Sequence, residues 1–258
     1  MELLRNKVLK TFGFVACLCG FALAAEHHTH WGYTGDEGPA KWGDLDSSFV
    51  ACKTEKLQSP INIVESKAKK AKTNPNFAVE DSYASKARDI VNNGHTVQVG
   101  FDNAGALSFN GKSYELVQLH FHTPSENQVN DKVYPAEVHL VHKDAGGNLL
   151  VVGVFIENGE QNNALEAVLK ATPKKVNDTK SLKLKGVSLG TLLPSKSAYY
   201  TFQGSLTTPP CSGNVTWVVM KNSIQASAKQ LEQLGTILKQ NARPTQPINA
   251  RVVTFVQP

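Results

Sequence analysis

The strongest constraint on this chain is a series of short runs rich in β-branched and aromatic residues, two of which carry histidines at alternate positions. They are HTVQVGFD (His95 to Asp102), VQLHFHT (Val117 to Thr123), AEVHLVHK (Ala136 to Lys143), NLLVVGVFIE (Asn148 to Glu157) and VTWVVMK (Val215 to Lys221). Such runs read as strands, and turn signals separate them: Asn92-Asn93-Gly94, Asn110-Gly111 and Asp144-Ala145-Gly146-Gly147. The short gap between Lys143 and Asn148 predicts a hairpin, so the runs on either side pair antiparallel. Helical periodicity is rarer. Ser227 to Gln240 places Leu231, Leu234 and Leu238 on one face behind a Ser227-x-x-Gln230 capping box, and Asn162 to Ala171 groups Leu165, Val168 and Leu169. The expected fold class is mainly β (α+β). A chain of 258 residues without internal repeat or long linker predicts a single domain with a large, mostly antiparallel twisted central sheet and a few peripheral helices.

The N-terminus reads differently. Arg5, Lys7 and Lys10 precede an apolar run, Thr11 to Ala24, that is short for a membrane span and ends in the small-x-small pattern Ala22-Leu23-Ala24. Residues 1–25 are therefore expected to be a signal peptide, leaving 26–258 as an exported domain, periplasmic or secreted, with no membrane span after cleavage. An uncleaved anchor, or lipidation at Cys17 or Cys19, is the minority reading. Loss of Glu2 and the three basic residues lowers the formal net charge of +5 by two. No Lys/Arg cluster interleaves with aromatics, so the chain lacks the footprint of a nucleic-acid binder. The Lys-rich stretch Ser66 to Thr73 reads as a solvated loop. Export leaves Cys52 and Cys211 as the only cysteines, and an oxidising compartment favours one disulfide over two buried thiols. Closing so long a loop is worth roughly 4–5 kcal/mol in the chain-entropy model.

Strand alternation puts His120 and His122 on one face, with Leu119, Phe121 and Thr123 on the other. Two imidazoles one pleat apart can share a metal at about 2.0–2.1 Å each, and Glu137-x-His139 on a neighbouring strand offers a third. Three neutral imidazoles leave the fourth tetrahedral position open, the composition of a catalytic Zn2+ site; structural sites are closed and usually thiolate-rich. Gln118 and Glu137 share faces with His120 and His139, where each can accept the far N–H of an imidazole. A lone His-x-His would more often be two polar residues facing solvent; the second strand reverses that balance.

Gln118 to Asn127 (QLHFHTPSEN) followed by Tyr134 to His142 (YPAEVHLVH) resembles the signature of the alpha-class carbonic anhydrases of bacterial exported type. The resemblance extends through HWGY (His30 to Tyr33), QSPINI (Gln58 to Ile63), NNGHTVQV (Asn92 to Val99), GSLTTPPC (Gly204 to Cys211), VTW (Val215 to Trp217) and NARPTQPINAR (Asn241 to Arg251). It implies zinc-dependent reversible hydration of carbon dioxide to bicarbonate and a proton, by attack of a zinc-bound hydroxide. His120, His122 and His139 match the metal ligands. Thr207 matches the threonine that accepts from the hydroxide and donates to a buried glutamate, here Glu126. Thr208 and the Thr207 N–H would line the substrate site, and Val141, Val151, Leu206, Val215 and Trp217 match the apolar wall for carbon dioxide. His95 matches the proton shuttle, with Tyr33, Asn93 and Gln98 ordering the relay waters. The family also pairs the cysteines matching Cys52 and Cys211.

Three positions depart from the family pattern: Asn127 where His is common, Leu119 where Phe is frequent, and Phe202 in place of a tyrosine. They bear on rate, not on the reaction. Anions and sulfonamides are implied as inhibitors, and a homodimer as one option for assembly. His27, His28 and His30 read as a mobile tail, and His142, on the opposite face from His139, as a satisfied core histidine. Asn177-Asp178-Thr179 and Asn214-Val215-Thr216 match the glycosylation pattern by chance. Two rival functions share the motifs: a carbonic-anhydrase-like binding module without catalysis, and a zinc hydrolase acting mainly on esters. The first would be expected to lack a ligand histidine; the second is separated by substrate preference.

Overall fold

The β-branched runs pair into one broad sheet. The computed structural model describes residues 29–73, 77–80, 83–84, 86–184, 187–194 and 198–257. Seven strands position the site: β1 (Ala87–Asn92), β2 (Val97–Phe101), β3 (Lys112–His122), β4 (Ala136–Lys143), β5 (Leu149–Asn158), β6 (Tyr199–Gly204) and β7 (Val215–Met220). Their spatial order is β1-β2-β3-β4-β5-β7-β6, within a sheet of 13 strands among the described residues. The predicted hairpin forms, with Lys143 opposite Leu149. Asp144 Oδ1 closes its turn by accepting from the N–H groups of Gly146 and Asn148.

The expectation of a mostly antiparallel sheet needs correction, because the sheet is mixed. β5 and β7 run parallel, as do β5 and Ile224–Ala226, and Thr254–Val256 and Lys69–Lys70. After β5 the chain leaves through helix α1 (Asn163–Ala171) and the Leu189–Leu192 turn, returns as β6, and folds back as β7 between β5 and β6. Side-chain alternation specifies the faces of a strand; it carries no information on the direction of its neighbour. The Lys69–Lys70 pairing also makes a short, exposed edge strand inside the stretch expected to be a loop. The strand runs β1 and β6 had no clear sequence signal.

α1 is capped by Asn162, whose side chain accepts from Leu165 N–H. α2 (Ala228–Leu238) starts with the predicted reciprocal capping box between Ser227 and Gln230. Gln230 also ties the two helices, its Nε2 donating to Asn162 O at 2.8 Å and its Oε1 accepting from Asn162 N at 2.9 Å. Leu165, Val168, Leu234 and Leu238 join Leu119, Phe121, Val138 and Leu140 in the larger core, on one face of the sheet. Fully burying each such side chain is worth about 1.5–3 kcal/mol, which fixes the register of the central strands. Val141, Val151, Phe155, Val215 and Trp217 pack into a second core on the opposite face. Cys52 and Cys211 are disulfide-bonded and pack beside Trp42 in a third, smaller cluster.

The expected signal peptide, which includes Cys17 and Cys19, lies outside the described residues, as do His27 and His28. Among the described residues no helix is long and apolar enough to cross a membrane.

Candidate metal centre

β3 and β4 pair so that His120 lies opposite His139 and His122 opposite Glu137. A register shift between Leu116 and Gln118 precedes them. That bulge exposes Val117 and turns Leu116 into the larger core, while Gln118 stays on the histidine face. On β2, Gln98 sits opposite His120. On β5, Gly153 sits opposite His139.

The three histidines converge. One ring nitrogen from each of His120, His122 and His139 lies within 4.8 Å of the others, the only such group of His, Cys, Asp or Glu among the described residues. The other nitrogen of each ring faces an acceptor oxygen. His120 Nδ1 is 2.8 Å from Gln118 Oε1, His122 Nδ1 donates to the Asn241 carbonyl at 2.8 Å, and His139 Nε2 is 3.1 Å from Glu137 Oε1. This leaves Nε2, Nε2 and Nδ1 facing the common centre, a tautomer set fixed by the outer contacts. His122 Nε2 is buried without a hydrogen-bond partner. Burial pushes the pKa of His120 well below the usual histidine value, reinforced by its two neighbours, and lowers that of His122. Convergent imidazoles with an orphaned nitrogen fit a divalent cation of borderline softness. His120 is only partly buried, whereas His122 and His139 are each 1 % exposed, so the centre opens toward solvent on the His120 side.

Glu137 is held by Asn127 and the following turn of chain. Asn127 Nδ2 donates to its Oε1 at 2.8 Å, and the N–H groups of Asn127 and Glu126 donate to its Oε2. Burial would raise the Glu137 pKa, but His139 and these hydrogen bonds outweigh it and keep it low. Asn127, a departure at the sequence level, thus has a defined task here. Gly153 is required for space: a Cβ there would stand 2.7 Å from Glu137 Oε1.

Glu126 is buried, accepts from Arg243 N–H at 2.8 Å, and takes a hydrogen bond from the Thr207 side chain. Burial pushes its pKa up to about 7, against the pull of His139 and Thr207. Its Oε2 lies 3.4 Å from His122 Nε2 and 3.9 Å from His139 Nδ1. Thr208 is half-buried two residues before Pro210. Val141, Val151, Val215 and Trp217, with Leu206 against them, form one apolar wall, and the Trp217 ring stands edge-on to His139 at 4.9 Å. Phe202 stacks parallel to Trp217 on the far side, at 6.2 Å.

His95 is half-buried and stacks on Trp31, ring centroids 3.8 Å apart and 6° from parallel. Burial and the nearby His30 lower its pKa. Asn93 Oδ1 accepts from the N–H groups of His95 and Thr96, shaping the turn that presents the ring. Tyr33 packs against Trp31 and Trp42, and burial raises its pKa well above the usual value. Asn241 carries no signal of its own in the sequence, yet it joins three of these parts. Its carbonyl receives His122, its Oδ1 accepts from Thr123 N–H, and its Nδ2 donates to the carbonyls of His95 and Phe121. The NARPTQPINAR motif marks the segment without revealing that task.

Fold and site together define a mainly β metalloprotein with an open three-imidazole centre beside an apolar wall. Residues 37–257 match the family model described as eukaryotic-type carbonic anhydrase. A carbonic anhydrase of Neisseria gonorrhoeae is 41% identical over 241 residues, covering 93% of each chain. The alpha-carbonic anhydrase of Thermovibrio ammonificans, solved with the inhibitor sulfanilamide, is 44% identical with a TM-score of 0.83, covering 88% of this chain and 99% of that one. Carbonic anhydrase Cah3 of Chlamydomonas reinhardtii, solved in complex with acetazolamide, is 33% identical with a TM-score of 0.78, over 88% and 99% of the two chains. The chain belongs to the alpha carbonic anhydrase family, and its reaction is the reversible hydration of carbon dioxide.

Proposed function

We propose that the resident ion is zinc, held by His120 Nε2, His122 Nε2 and His139 Nδ1, and that the residues around it divide the work of hydration among them. The convergence of three imidazoles, each with its outer nitrogen facing an acceptor oxygen, carries this reading. When bound, zinc supplies Lewis acidity that brings the pKa of a coordinated water to about 7, a value established for carbonic anhydrases themselves.

Thr207, with its hydroxyl donated to Glu126, can only accept from a group at the centre. It therefore orients that group and disfavours ligands that have no proton to donate. Val141, Val151, Leu206, Val215 and Trp217 provide a surface suited to an uncharged, weakly hydrogen-bonding substrate, with Thr208 at its edge. His95 takes the proton outward. A free histidine titrates near 6.5, close to the donor it must relieve; burial and His30 lower His95 from there, which sets the transfer somewhat uphill and eases release of the proton to buffer. Tyr33, Asn93 and Gln98 border the route from the centre to His95 and order its waters. Sulfonamides and small anions inhibit by competing for the open position.

Residues 1–25 direct export and are removed, placing 26–258 in the periplasm or outside the cell; the Cys52–Cys211 disulfide supports an oxidising destination. N-terminal sequencing of the exported protein should begin near Glu26. For the catalytic reading, stopped-flow hydration on the zinc-loaded chain should be fast, and a metal-stripped sample should fall to the uncatalysed rate and recover with added zinc. A slow wild type carrying one zinc per chain would favour the binding-module alternative, or an ester hydrolase if an activated ester is the better substrate.

A further inference from the structure

One buried charge has no task in the contacts around the metal centre. Arg243 is 3 % exposed, and its guanidinium donates to neutral oxygens: Nη1 to Gln58 Oε1 at 2.7 Å and to Ser59 O at 2.8 Å, Nη2 to Cys52 O at 3.2 Å. The group also lies over the Trp42 ring at 5.5 Å, while Nε has no hydrogen-bond partner. Burying a guanidinium among neutral acceptors is costly, so its retention calls for a reason beyond stability.

Each acceptor leads to the loop that carries Thr207. Gln58 Nε2 donates to Cys211 O at 3.0 Å. Ser59 and Ser205 hold one another reciprocally: Ser59 N–H donates to Ser205 Oγ at 2.9 Å and Ser205 N–H to Ser59 Oγ at 3.2 Å. Cys52 is bonded to Cys211. These ties grip the loop two residues before Thr207 and four residues after it. From its main chain, Arg243 donates to Glu126 Oε1, the carboxylate that receives Thr207. One residue therefore touches the Glu126 side of the Thr207–Glu126 hydrogen bond directly and the Thr207 side through the residues that hold its loop.

We propose that Arg243 is a positioning residue for that pair, its guanidinium fixing the Thr207 loop while its N–H fixes the Glu126 carboxylate. The inference rests on the roles given to Thr207 and Glu126 under the proposed function. A planar fork can bridge three acceptors at once; the single ammonium of lysine cannot hold the same geometry.

The test is a double-mutant cycle of wild type, Arg243→Lys, Thr207→Ala and the double variant, each checked for fold, zinc content and an intact disulfide. Two quantities are read: kcat/KM for carbon dioxide, and the ratio of dissociation constants for sulfanilamide and thiocyanate. The bound sulfonamide keeps an N–H to donate to Thr207, and thiocyanate has none. Arg243→Lys should lower kcat/KM by about 10- to 100-fold, the scale of a misplaced reacting geometry, and shift the ratio toward thiocyanate. On the Thr207→Ala background it should add no more than about twofold and leave the ratio where Thr207→Ala put it. Effects that multiply in the double variant, or an Arg243→Lys enzyme with both quantities unchanged, would overturn the proposal. A Thr207→Ala enzyme with wild-type rate and ratio would instead remove the reading of Thr207, and the proposal with it. If Arg243→Lys does not fold, Gln58→Met takes its place in the cycle with the same two outcomes, since it removes one guanidinium acceptor and the link to Cys211.

Discussion

His139 and His142 stand three residues apart on β4, both buried, at 1 % and 0 % exposed, and they face opposite sides of the sheet. His142 is satisfied at both nitrogens: Tyr83 Oη lies 2.5 Å from its Nε2, its Nδ1 is 3.2 Å from the Leu150 carbonyl, and the Tyr83 ring stacks on it. Burial holds its pKa down to about 3, a neutral ring closed off by its partners. His139 shares its face with His120 and His122, its Nδ1 pointing toward a centre where Glu126 Oε2 and His122 Nε2 lack hydrogen-bond partners. Burial does not distinguish a proposed ligand from a core histidine. What distinguishes them is whether each buried nitrogen finds a partner within the chain.

The sharpest way to break this contrast is to delete one ring from each side. His122→Ala or His139→Ala should abolish zinc binding and bring hydration to the uncatalysed rate in stopped-flow assays. His142→Leu should keep full zinc content and the wild-type rate. A His142→Leu protein that loses its metal would show that the two faces are not independent.

Next in size is His95, which shares neither fate: half-buried and stacked on Trp31, it belongs neither to the three-histidine cluster nor to the core. His95→Ala should lower the turnover by about 100-fold, the scale of a general acid–base group, and added imidazole buffer should restore much of the loss. A loss that buffer does not rescue would place His95 outside proton transfer.

Gly153→Ala probes how tightly the histidine face is packed. The new Cβ would meet Glu137 Oε1 at 2.7 Å and push the carboxylate from His139, so zinc affinity in chelator competition should fall about 10- to 100-fold. An unchanged affinity would mean that Glu137 does not orient His139.

The smallest effects belong to the other face. His142→Leu leaves the Tyr83 hydroxyl without its partner and should cost about 1–3 kcal/mol in denaturant unfolding. Its pH signature has a definite sign. The folded pKa lies below the unfolded value near 6.5, so the unfolded state binds more protons in between. Stability from His142 is present above pH 6.5 and is lost as pH falls from there toward 3. Removing the ring should flatten the wild-type slope in that window by up to about 1.4 kcal/mol per pH unit, measured on the metal-free proteins.

Much of this contrast is legible in the amino-acid sequence. Alternation assigns His120, His122 and His139 to one side, and His142 to the other. The same pattern locates the β4–β5 hairpin, and Ser227-x-x-Gln230 the start of α2. Other features are not legible there because they depend on partners far away along the chain. β1 and β6 are short runs without the strong periodicity of their neighbours, and they are strands because β2 and β7 offer edges for them to pair with. The bulge at Val117 exists because Leu116 has a core to enter. Asn127, Asn241 and Arg243 are visible as residues within motifs, but a carboxylate-holder, a three-way clamp and a loop anchor are defined by which atoms lie about 3 Å away.

By itself, then, the sequence determined the faces of the strands, the three imidazoles and the oxidisable cysteine pair, because side-chain period, ligand chemistry and residue type are local properties of the chain. Only the tertiary structure decided that β7 lies parallel to β5, that Gly153 makes room for Glu137, and that Arg243 sits behind the Thr207 loop. Strand direction, free volume and hydrogen-bond partnership are relations between distant segments, settled when the two apolar faces are buried together.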